Sequence, residues 1–304
     1  MRSLLAVSML ATFACATPRI AREIPFGECS ILATTGSARR IWAFETGSLV
    51  MPEGYATPSS PAIDIPIMAY AIELADGAIV LFDTGLSHRF ADDARDYYGY
   101  TSYQAATALG LFPKMRVGQD LPSQMIAAGL DPARVSTIVV SHGHVDHTGE
   151  LPSFPKARVI FSPKDRARMK DTLAGYQPRD LEGAGHFDDG LRVLAGRCHG
   201  FAHARALVPD GSLVVVDAPG HTPGSQALFV ALPHSLVLLV GDAAYVNQNF
   251  IGPTPKGSHP AHRPDEDPDA AWETLLRIHA AHRAGVRVLT AHDPALRAIA
   301  KPIE

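Results

Sequence analysis

Three histidines and an aspartate occur within six residues of this sequence, at His142, His144, Asp146 and His147. They follow the apolar, β-branched run 135–140, which predicts a strand that ends just before them. Where a strand ends the chain can turn, so His142 and His144 can converge on one point and Asp146 and His147 on a neighbouring one. Neutral imidazole suits Zn, Fe, Co or Mn, and carboxylate oxygen suits the harder of these ions. Because packing alone gives no reason to gather these four side chains, the motif predicts a metal site.

Three further candidate ligands lie downstream, each directly after an apolar run. They are His221, Asp242 and His292. A sheet presents the loops at its strand ends to one rim, so we expect these side chains to meet the first motif there. Any one of them alone is more often an ordinary loop residue. Four such sites after four strands together indicate a metal centre.

With these residues in place, the sequence resembles the metallo-β-lactamase superfamily, and within it the N-acyl-homoserine lactone lactonases, over roughly residues 60–300. The resemblance implies an α/β fold, a four-layer αβ/βα sandwich, and two divalent metal ions. Zinc is the expected metal, with Co, Mn or Fe as alternatives. By the family's pattern, the first metal is held by His142, His144 and His221, the second by Asp146, His147 and His292, and Asp242 bridges both.

Two finer features are similar to the lactonases within this superfamily. Asp83, in Leu81-Phe82-Asp83-Thr84-Gly85, matches an aspartate that supports the metal site from behind the ligands, although it could simply cap a turn. Tyr245 lies three residues after Asp242, where the lactonases place a tyrosine that faces the substrate carbonyl; a packing role is the alternative. Two departures, Glu150 and Ala291, stand where glycine is common, and they put the fit of the substrate in question more than metal binding.

The resemblance implies hydrolysis of a small-molecule lactone or ester. Two metals about 3.5–4 Å apart can share a hydroxide, which attacks the carbonyl carbon. Tyr245 and one metal would stabilise the oxyanion, and Asp146 would relay a proton to the leaving alkoxide. The product of a lactone is one ring-opened hydroxy acid, so the predicted function is a quorum-quenching lactonase.

Rival functions share parts of this pattern. An exported phosphotriesterase similar to methyl parathion hydrolase keeps the bridging aspartate but lacks the tyrosine, and it is the runner-up. Glyoxalase II adds a helical substrate domain after the last histidine, whereas 12 residues follow His292 here. Class B β-lactamases lack the bridge at the position of Asp242. A metal-binding protein without turnover is the least favoured reading, because the ligand set is complete.

The elements that must position these residues are visible as apolar runs. Residues 65–74 and 78–82 predict a hairpin, and further strands are predicted at 135–140, 158–161, 191–194, 213–216, 227–230, 236–240 and 286–289. Helices are predicted over 120–130, from about Pro163, and after an N-cap at Asp267. Residues 89–118 and 245–266 lack periodicity and are predicted as long loops. The pattern favours sheets flanked by helices.

Composition limits the class of partner. The 304 residues carry 27 basic and 31 acidic side chains, a net charge of −4, so no basic excess favours nucleic acid. With 46% hydrophobic residues the chain can bury a core. We predict one hydrolase domain over residues 17–304, with a homodimer left open.

The N-terminus has the layout of a secretory signal. Met1-Arg2 is followed by the apolar run 4–13 and the small residues Ala14-Cys15-Ala16, so residues 1–16 are predicted to be a signal peptide and the protein to be exported, to the periplasm. A lipid anchor on Cys15 is the alternative. Because no later apolar stretch reaches the length of a span, no integral membrane association is predicted. Export would allow a disulfide between Cys29 and Cys198, and two buried thiols are equally compatible with the sequence.

Overall fold

Two β-sheets lie face to face in the computed structural model, which describes residues 19, 21–32, 36–191, 193, 197–258 and 263–304. Within that part of the chain the first sheet has the strand order β4-β1-β2-β3-β5-β6-β7 and the second has the order β12-β11-β10-β9-β8. The strands are β1 (Ala38–Met51), β2 (Ile63–Leu74), β3 (Ile79–Phe82), β4 (Pro113–Lys114), β5 (Val135–Val139), β6 (Arg158–Ile160), β7 (His186–Phe187), β8 (Arg205–Ala206), β9 (Leu213–Asp217), β10 (Gln226–Ala231), β11 (Leu236–Leu239) and β12 (Arg287–Leu289).

Helices cover the outer faces of both sheets. They are α1 (His88–Asp92), α2 (Ala94–Tyr98), α3 (Tyr100–Ala108), α4 (Leu121–Ala127), α5 (Val145–Thr148), α6 (Pro163–Arg166), α7 (Asn247–Ile251) and α8 (Pro268–Arg283). On the first sheet, α4 begins at its N-cap Asp120 and packs Leu121 and Met125 against the strands. On the second, α8 begins at its N-cap Asp267. The layers therefore run helix, sheet, sheet, helix, and this confirms the four-layer prediction.

The side-chain alternation of β2 explains how the layers hold together. Met68, Tyr70 and Ile72 point into the core between the two sheets, where they meet residues of β9, β10 and β11. Ala69 and Ala71 point the other way, into the core beneath α4. Because successive strand residues face opposite sides, a central strand covered on both faces reads as one continuous apolar run. The predicted hairpin is confirmed, since β2 and β3 pair antiparallel across the turn at 75–78.

Two predicted loops contain structure. Residues 89–118 hold most of α1 together with α2, α3 and β4, so the prediction of a long loop there is wrong. These helices are short, and α3 buries only Ser102, so they leave no apolar stripe that sequence periodicity could detect. Residues 245–266 contain α7. The strand predicted at 191–194 is absent at Leu191 and Val193, while residues 192 and 194 lie outside the described part.

The N-terminal segment is fastened to the second sheet and to α8. Cys29 and Cys198 form a disulfide across 169 residues of sequence, which decides between the two alternatives left open for these thiols. Arg19 and Arg22 make ion pairs with Asp269 and Glu273 of α8. Residues 1–16, including Cys15, lie outside the described residues. Among the residues that are described, no helix has the length and apolar character needed to cross a membrane.

Candidate metal centre

The candidate ligands meet at one rim, where strands of both sheets end. β5 ends at Val139, just before His142, and β9 ends at Asp217, four residues before His221. In the second sheet, β11 and β12 end three residues before Asp242 and His292, respectively. The seven predicted ligands therefore come from four loops and are brought together by the way the two sheets face each other.

Three imidazoles form the first half of the centre, which we call the three-histidine cluster: His142, His144 and His221. His144 Nδ1 lies 3.0 Å from His142 Nε2 and 3.1 Å from His221 Nε2. Asp242 adds an oxygen on one side, with Oδ2 at 3.4 Å from His221 Nε2 and 3.8 Å from His142 Nε2. Each of the four residues offers one ligand atom, and these four atoms all lie within 4.8 Å of one another, which is compatible with a single ion.

The second half, which we call the Asp146 cluster, consists of Asp146, His147 and His292. Asp146 Oδ2 lies 3.7 Å from His147 Nε2 and 3.6 Å from His292 Nε2. Asp242 turns its other oxygen towards this cluster, with Oδ1 at 3.3 Å from His147 Nε2 and 3.0 Å from His292 Nε2. Because Asp242 offers one oxygen to each cluster, it stands where a bridging carboxylate must stand.

Hydrogen bonds on the far side of the rings determine which nitrogen faces the centre. His147 Nδ1 lies 2.8 Å from Asp83 Oδ2, and His292 Nδ1 lies 2.8 Å from the Pro66 carbonyl oxygen. His142 Nδ1 lies 3.0 Å from Ser141 Oγ. A ring that donates its Nδ1 hydrogen outward presents the lone pair of Nε2 inward, so these partners prepare the imidazoles as ligands.

Asp83 organises this region although it is not among the ligands. It has a φ of 62°, in the left-handed region that residues other than glycine seldom adopt. In that conformation its Oδ1 accepts a 2.6 Å hydrogen bond from the Ser141 backbone N–H while its Oδ2 holds His147. The carboxylate thus lies where the family resemblance places it, behind the ligands.

The residues present fit divalent cations. His147 Nε2 and Asp242 Oδ1 are buried and have no hydrogen-bond partner among the described residues. Burial and the neighbouring imidazoles hold the pKa of His142 well below its ordinary value, which keeps its lone pair free. Burial opposes ionisation of Asp242, but His292 and His147 hold the pKa of that carboxyl well below its ordinary value. Against the effect of burial, the nearby carboxylates, Asp242 foremost, raise the pKa of His147 and His292, and a bound cation would take the place of those protons. Neutral imidazole together with carboxylate is a donor set for zinc and similar ions.

Asp165 connects two of the loops that carry ligands, a role that no pattern in the sequence indicates. Its buried carboxylate accepts hydrogen bonds from the backbone N–H groups of Gly143 and Gly224, both at 2.9 Å, and from Thr222 Oγ1 at 2.7 Å. A Cβ on Gly224 would lie 2.4 Å from Asp165 Oδ1, so glycine is required there. The helix expected from about Pro163 is confirmed as the short α6, which delivers Asp165 to this position.

Tyr245 lies against both clusters. Its ring packs edge-on against His221 and His292, with ring centroids 5.7 Å apart in each case. Tyr55 stacks nearly parallel to it, at 6.1 Å and 12°. Burial raises the pKa of Tyr245 well above its ordinary value, so the phenol is a hydrogen-bond donor at neutral pH. Sequence reasoning found Tyr245 and missed Tyr55, which lies between strands in a segment without periodicity.

A pocket of about 150 Å³ opens above the centre. Its floor includes Asp146, Asp242 and Tyr245. Its walls are mainly aliphatic and come from β1, from α3 and the residues just after it, and from the segment 172–175; they include Leu49, Met51, Ala105, Ala106, Leu109, Leu111 and Leu173. The region predicted as the loop 89–118 therefore contributes one wall of the pocket.

One of the two departures from the family's pattern has a local explanation. Glu150, which stands where glycine is common, is buried, and its carboxylate lies 2.8 Å from His88 Nδ1, so it has a polar partner beside the segment that carries the ligands.

Two histidines outside the centre have structural roles. His279 Nδ1 lies 2.7 Å from the Phe250 carbonyl oxygen, and His282 packs against the Phe250 ring. His259 and His262 lie outside the described residues.

Comparisons with known proteins agree with this geometry. The family model of the metallo-beta-lactamase superfamily matches residues 63–288. The N-acyl homoserine lactonase AttM of Azorhizobium caulinodans is 30% identical over 236 residues, which is 76% of this chain and 83% of that protein. AttM of Rhizobium johnstonii is 31% identical over 237 residues, with the same shares of 76% and 83%. A solved N-acyl homoserine lactone hydrolase with the product N-hexanoyl-L-homoserine at its catalytic metal centre superimposes with a TM-score of 0.65 at 19% identity, covering 87% of this chain and 97% of that one; this likeness shows the fold.

Proposed function

The chain belongs to the metallo-β-lactamase superfamily, and from that premise we propose that it is a metal-dependent lactonase that opens the ring of N-acyl-homoserine lactones. The observation that carries the proposal is the position of Asp242 and Tyr245. Asp242 offers one oxygen to each cluster, and Tyr245, three residues later, lies on the pocket floor against both. The similarity to N-acyl homoserine lactonases at 30–31% identity supports the same reaction.

The three-histidine cluster would hold one divalent ion, the Asp146 cluster would hold a second, and Asp242 would contact both. When bound, such a pair of ions lowers the pKa of water and stabilises negative charge on the attacking and leaving oxygens. We propose Zn²⁺ as the native metal, because five imidazoles and two carboxylates suit it, with Co, Mn or Fe as alternatives.

The side chains of the pocket floor would assist acyl transfer to water. The carbonyl oxygen of the lactone becomes negative as water adds, and the protonated phenol of Tyr245 is placed to donate a hydrogen bond to it. The acyl carbon–oxygen bond of the ring then breaks, and the departing ring oxygen takes up a proton. Asp146, at the pocket floor and with its side chain 15% exposed, is the group we assign to carry that proton from the added water.

The pocket walls favour a neutral, apolar acyl group on the substrate. None of the described residues that line the pocket is lysine or arginine, so nothing there would pair with a carboxylate or phosphate tail. The aliphatic side chains of β1 and α3 can instead cover a hydrocarbon chain, and burial of each CH₂ contributes about 0.8 kcal/mol. The substrate we propose therefore combines a lactone ring at the metal centre with an acyl chain along this wall.

A substrate panel tests the proposal. The zinc-loaded protein is given N-hexanoyl and N-decanoyl homoserine lactones, a γ-lactone without an acylamino group, paraoxon and a cephalosporin, and ring opening or hydrolysis is followed for each. We expect the homoserine lactones to have the highest kcat/KM. Turnover of the triester without turnover of any lactone would replace the lactonase with the phosphotriesterase.

We also propose that the protein is exported to the periplasm through the predicted signal at 1–16. The Cys29–Cys198 disulfide supports this, because disulfides persist in oxidising compartments and are rare in the cytosol. Cell fractionation followed by N-terminal mass analysis tests it. A periplasmic form shortened near residue 16 is the expected result, and a cytosolic form that keeps residues 1–16 would contradict it.

A further inference from the structure

A lysine is buried directly beneath the proposed oxyanion donor. The side chain of Lys256 is 2% exposed, and its Nζ lies 4.3 Å from the centroid of the Tyr245 ring. The same Nζ lies 2.6 Å from Asp265 Oδ1. Asp265 Oδ1 in turn lies 3.6 Å from His221 Nδ1, a buried nitrogen with no hydrogen-bond partner among the described residues. One ion pair therefore contacts the proposed donor at one end and a candidate metal ligand at the other.

Burial of this pair needs an explanation in terms of the site. Moving an ammonium and a carboxylate out of water is unfavourable, and two apolar side chains of similar volume are often as stabilising. A position that only filled space would be served by methionine or leucine. The ammonium instead lies over the face of the Tyr245 ring, which attracts a cation more strongly when both are out of water.

Backbone hydrogen bonds on either side of the pair connect it to Tyr55 and to His221. Gly257 N–H donates a 2.9 Å hydrogen bond to the carbonyl oxygen of Tyr55, and a Cβ on Gly257 would lie 1.7 Å from the Gly54 carbonyl oxygen. Glycine at 257 thus lets the Lys256 segment approach the Tyr55 segment closely. On the other side, Glu266 N–H donates to the carbonyl oxygen of His221 at 3.2 Å. The backbone next to Lys256 therefore contacts Tyr55, which stacks on Tyr245, and the backbone next to Asp265 contacts His221, the residue that Asp265 faces.

Resting on the proposed lactonase function, we propose that Lys256 and Asp265 are positioning residues of the reaction. Lys256 holds the ring of Tyr245 in the place from which its hydroxyl reaches the carbonyl oxygen of the substrate. Asp265 faces the outward nitrogen of His221 and favours the tautomer that presents Nε2 to the three-histidine cluster. The ion pair makes the position of the donor and the position of the ligand depend on each other.

A double-mutant cycle tests the role of Lys256. In otherwise unchanged protein, Lys256→Met keeps the length of the side chain and removes the charge, and we expect kcat to fall about 10-fold with KM changed less than about 2-fold. In a Tyr245→Phe background the same substitution should lower kcat less than about 2-fold, because the hydroxyl that Lys256 positions is gone. Lys256→Arg should recover part of the loss. An equal fall in both backgrounds would overturn the role of Lys256, since general damage to the fold acts regardless of Tyr245.

Metal retention tests the role of Asp265 without reference to turnover. Asp265→Asn is expected to release one of two bound zinc ions to a competing chelator at about 10- to 100-fold lower chelator activity than wild type. The matched control is Asp269→Asn, because Asp269 on α8 forms an ion pair with Arg19 at the surface, away from the metal centre. This variant should retain zinc as the wild type does. Unchanged retention in Asp265→Asn would overturn the role of Asp265. If the wild type opened no lactone, the proposed function would fail, while this measurement would still decide whether Asp265 supports a ligand.

Discussion

The two halves of the metal centre are supported differently from behind. In the Asp146 cluster, both histidines have an acceptor 2.8 Å from Nδ1, the carboxylate of Asp83 for His147 and the Pro66 carbonyl for His292. In the three-histidine cluster, His142 Nδ1 lies 3.0 Å from the hydroxyl of Ser141, but His221 faces its carboxylate, Asp265, only at 3.6 Å. The Asp146 cluster is therefore set by short contacts with the first sheet and its loops, whereas the three-histidine cluster depends on how loops are held together.

Different parts of the chain therefore support the two halves of the centre. The Asp146 cluster is fixed by Asp83, which lies directly after β3 and close in space to the end of β5. The three-histidine cluster is assembled by Asp165, which joins the loops at 143 and 222–224, and by the Lys256–Asp265 pair. Substitutions behind the ligands should consequently weaken one half at a time, whereas a substitution at Asp242 should weaken both.

Asp242→Ala should have the largest effect because it removes the contact that the two halves share. We expect zinc content to fall from two ions per chain to one or fewer, and kcat for lactone opening to fall on the order of 10³-fold. Elemental analysis of the purified variant beside the wild type measures the first, and initial rates measure the second. Two retained ions with near-normal rates would mean that Asp242 is not shared between the clusters.

Tyr245→Phe should leave both halves intact and still slow the reaction. The ring that packs against His221 and His292 is kept and one hydrogen-bond donor is lost, so kcat should fall about 10²-fold with the zinc content unchanged. Steady-state kinetics together with elemental analysis make the test. Wild-type turnover in this variant would remove the reason for assigning oxyanion stabilisation to Tyr245.

Asp83→Asn should weaken the Asp146 cluster and leave the three-histidine cluster intact. It removes the charge that holds His147, so the affinity for one zinc ion should fall about 10- to 100-fold while the other ion is retained. Spectroscopy of the cobalt-substituted protein can identify which half is lost. Loss of the same half in Asp83→Asn and Asp265→Asn would contradict the division proposed here.

Asp180→Asn should have the smallest effect, and that effect should be on stability rather than on turnover. Asp180 accepts hydrogen bonds from Tyr97 and from Thr148 of α5, the helix that carries Asp146 and His147, and burial raises its pKa from 3.8 to about 7. The folded state keeps this proton at pH values where the unfolded chain has released it. The contribution of Asp180 to the free energy of unfolding is therefore present below 3.8 and is lost as pH rises towards about 7.

Urea unfolding of wild type and Asp180→Asn between pH 4 and 8, about the span that these two pKa values bracket, isolates this component, because all other groups are common to both proteins. The wild type should lose more of its free energy of unfolding across that range than the variant. Parallel pH profiles for the two proteins would show that Asp180 does not titrate in this way.

Much of the centre could be predicted because its ligands follow strands that can be recognised from their apolar residues. Val135–Val139 is a short β-branched run, and the motif after it gathers residue types that rarely occur together without a metal. What the sequence did not reveal are contacts between loops far apart in the chain. The Gly224 backbone N–H donates a hydrogen bond to Asp165, which lies 59 residues earlier in the chain. No local pattern indicates that an aspartate in a charged turn connects two distant loops.

The N-terminal strand and the pocket wall were missed for a different reason. β1 has an irregular register between Glu45 and Gly47, which interrupts the alternation that identifies a strand. The short helices after β3 are held by local caps, such as Asp93 at the start of α2, rather than by a buried stripe. Tertiary packing forms these elements, so periodicity alone could not predict them.

Metal titration tests whether two cations held by these seven residues are needed to open a lactone. The protein is stripped with a chelator, zinc is returned in steps, and opening of N-hexanoyl homoserine lactone is measured at each ratio of zinc to protein. We expect negligible rates without metal and full activity only as the second equivalent binds. Full activity in the stripped protein, or a plateau at one equivalent that the second does not raise, would contradict it.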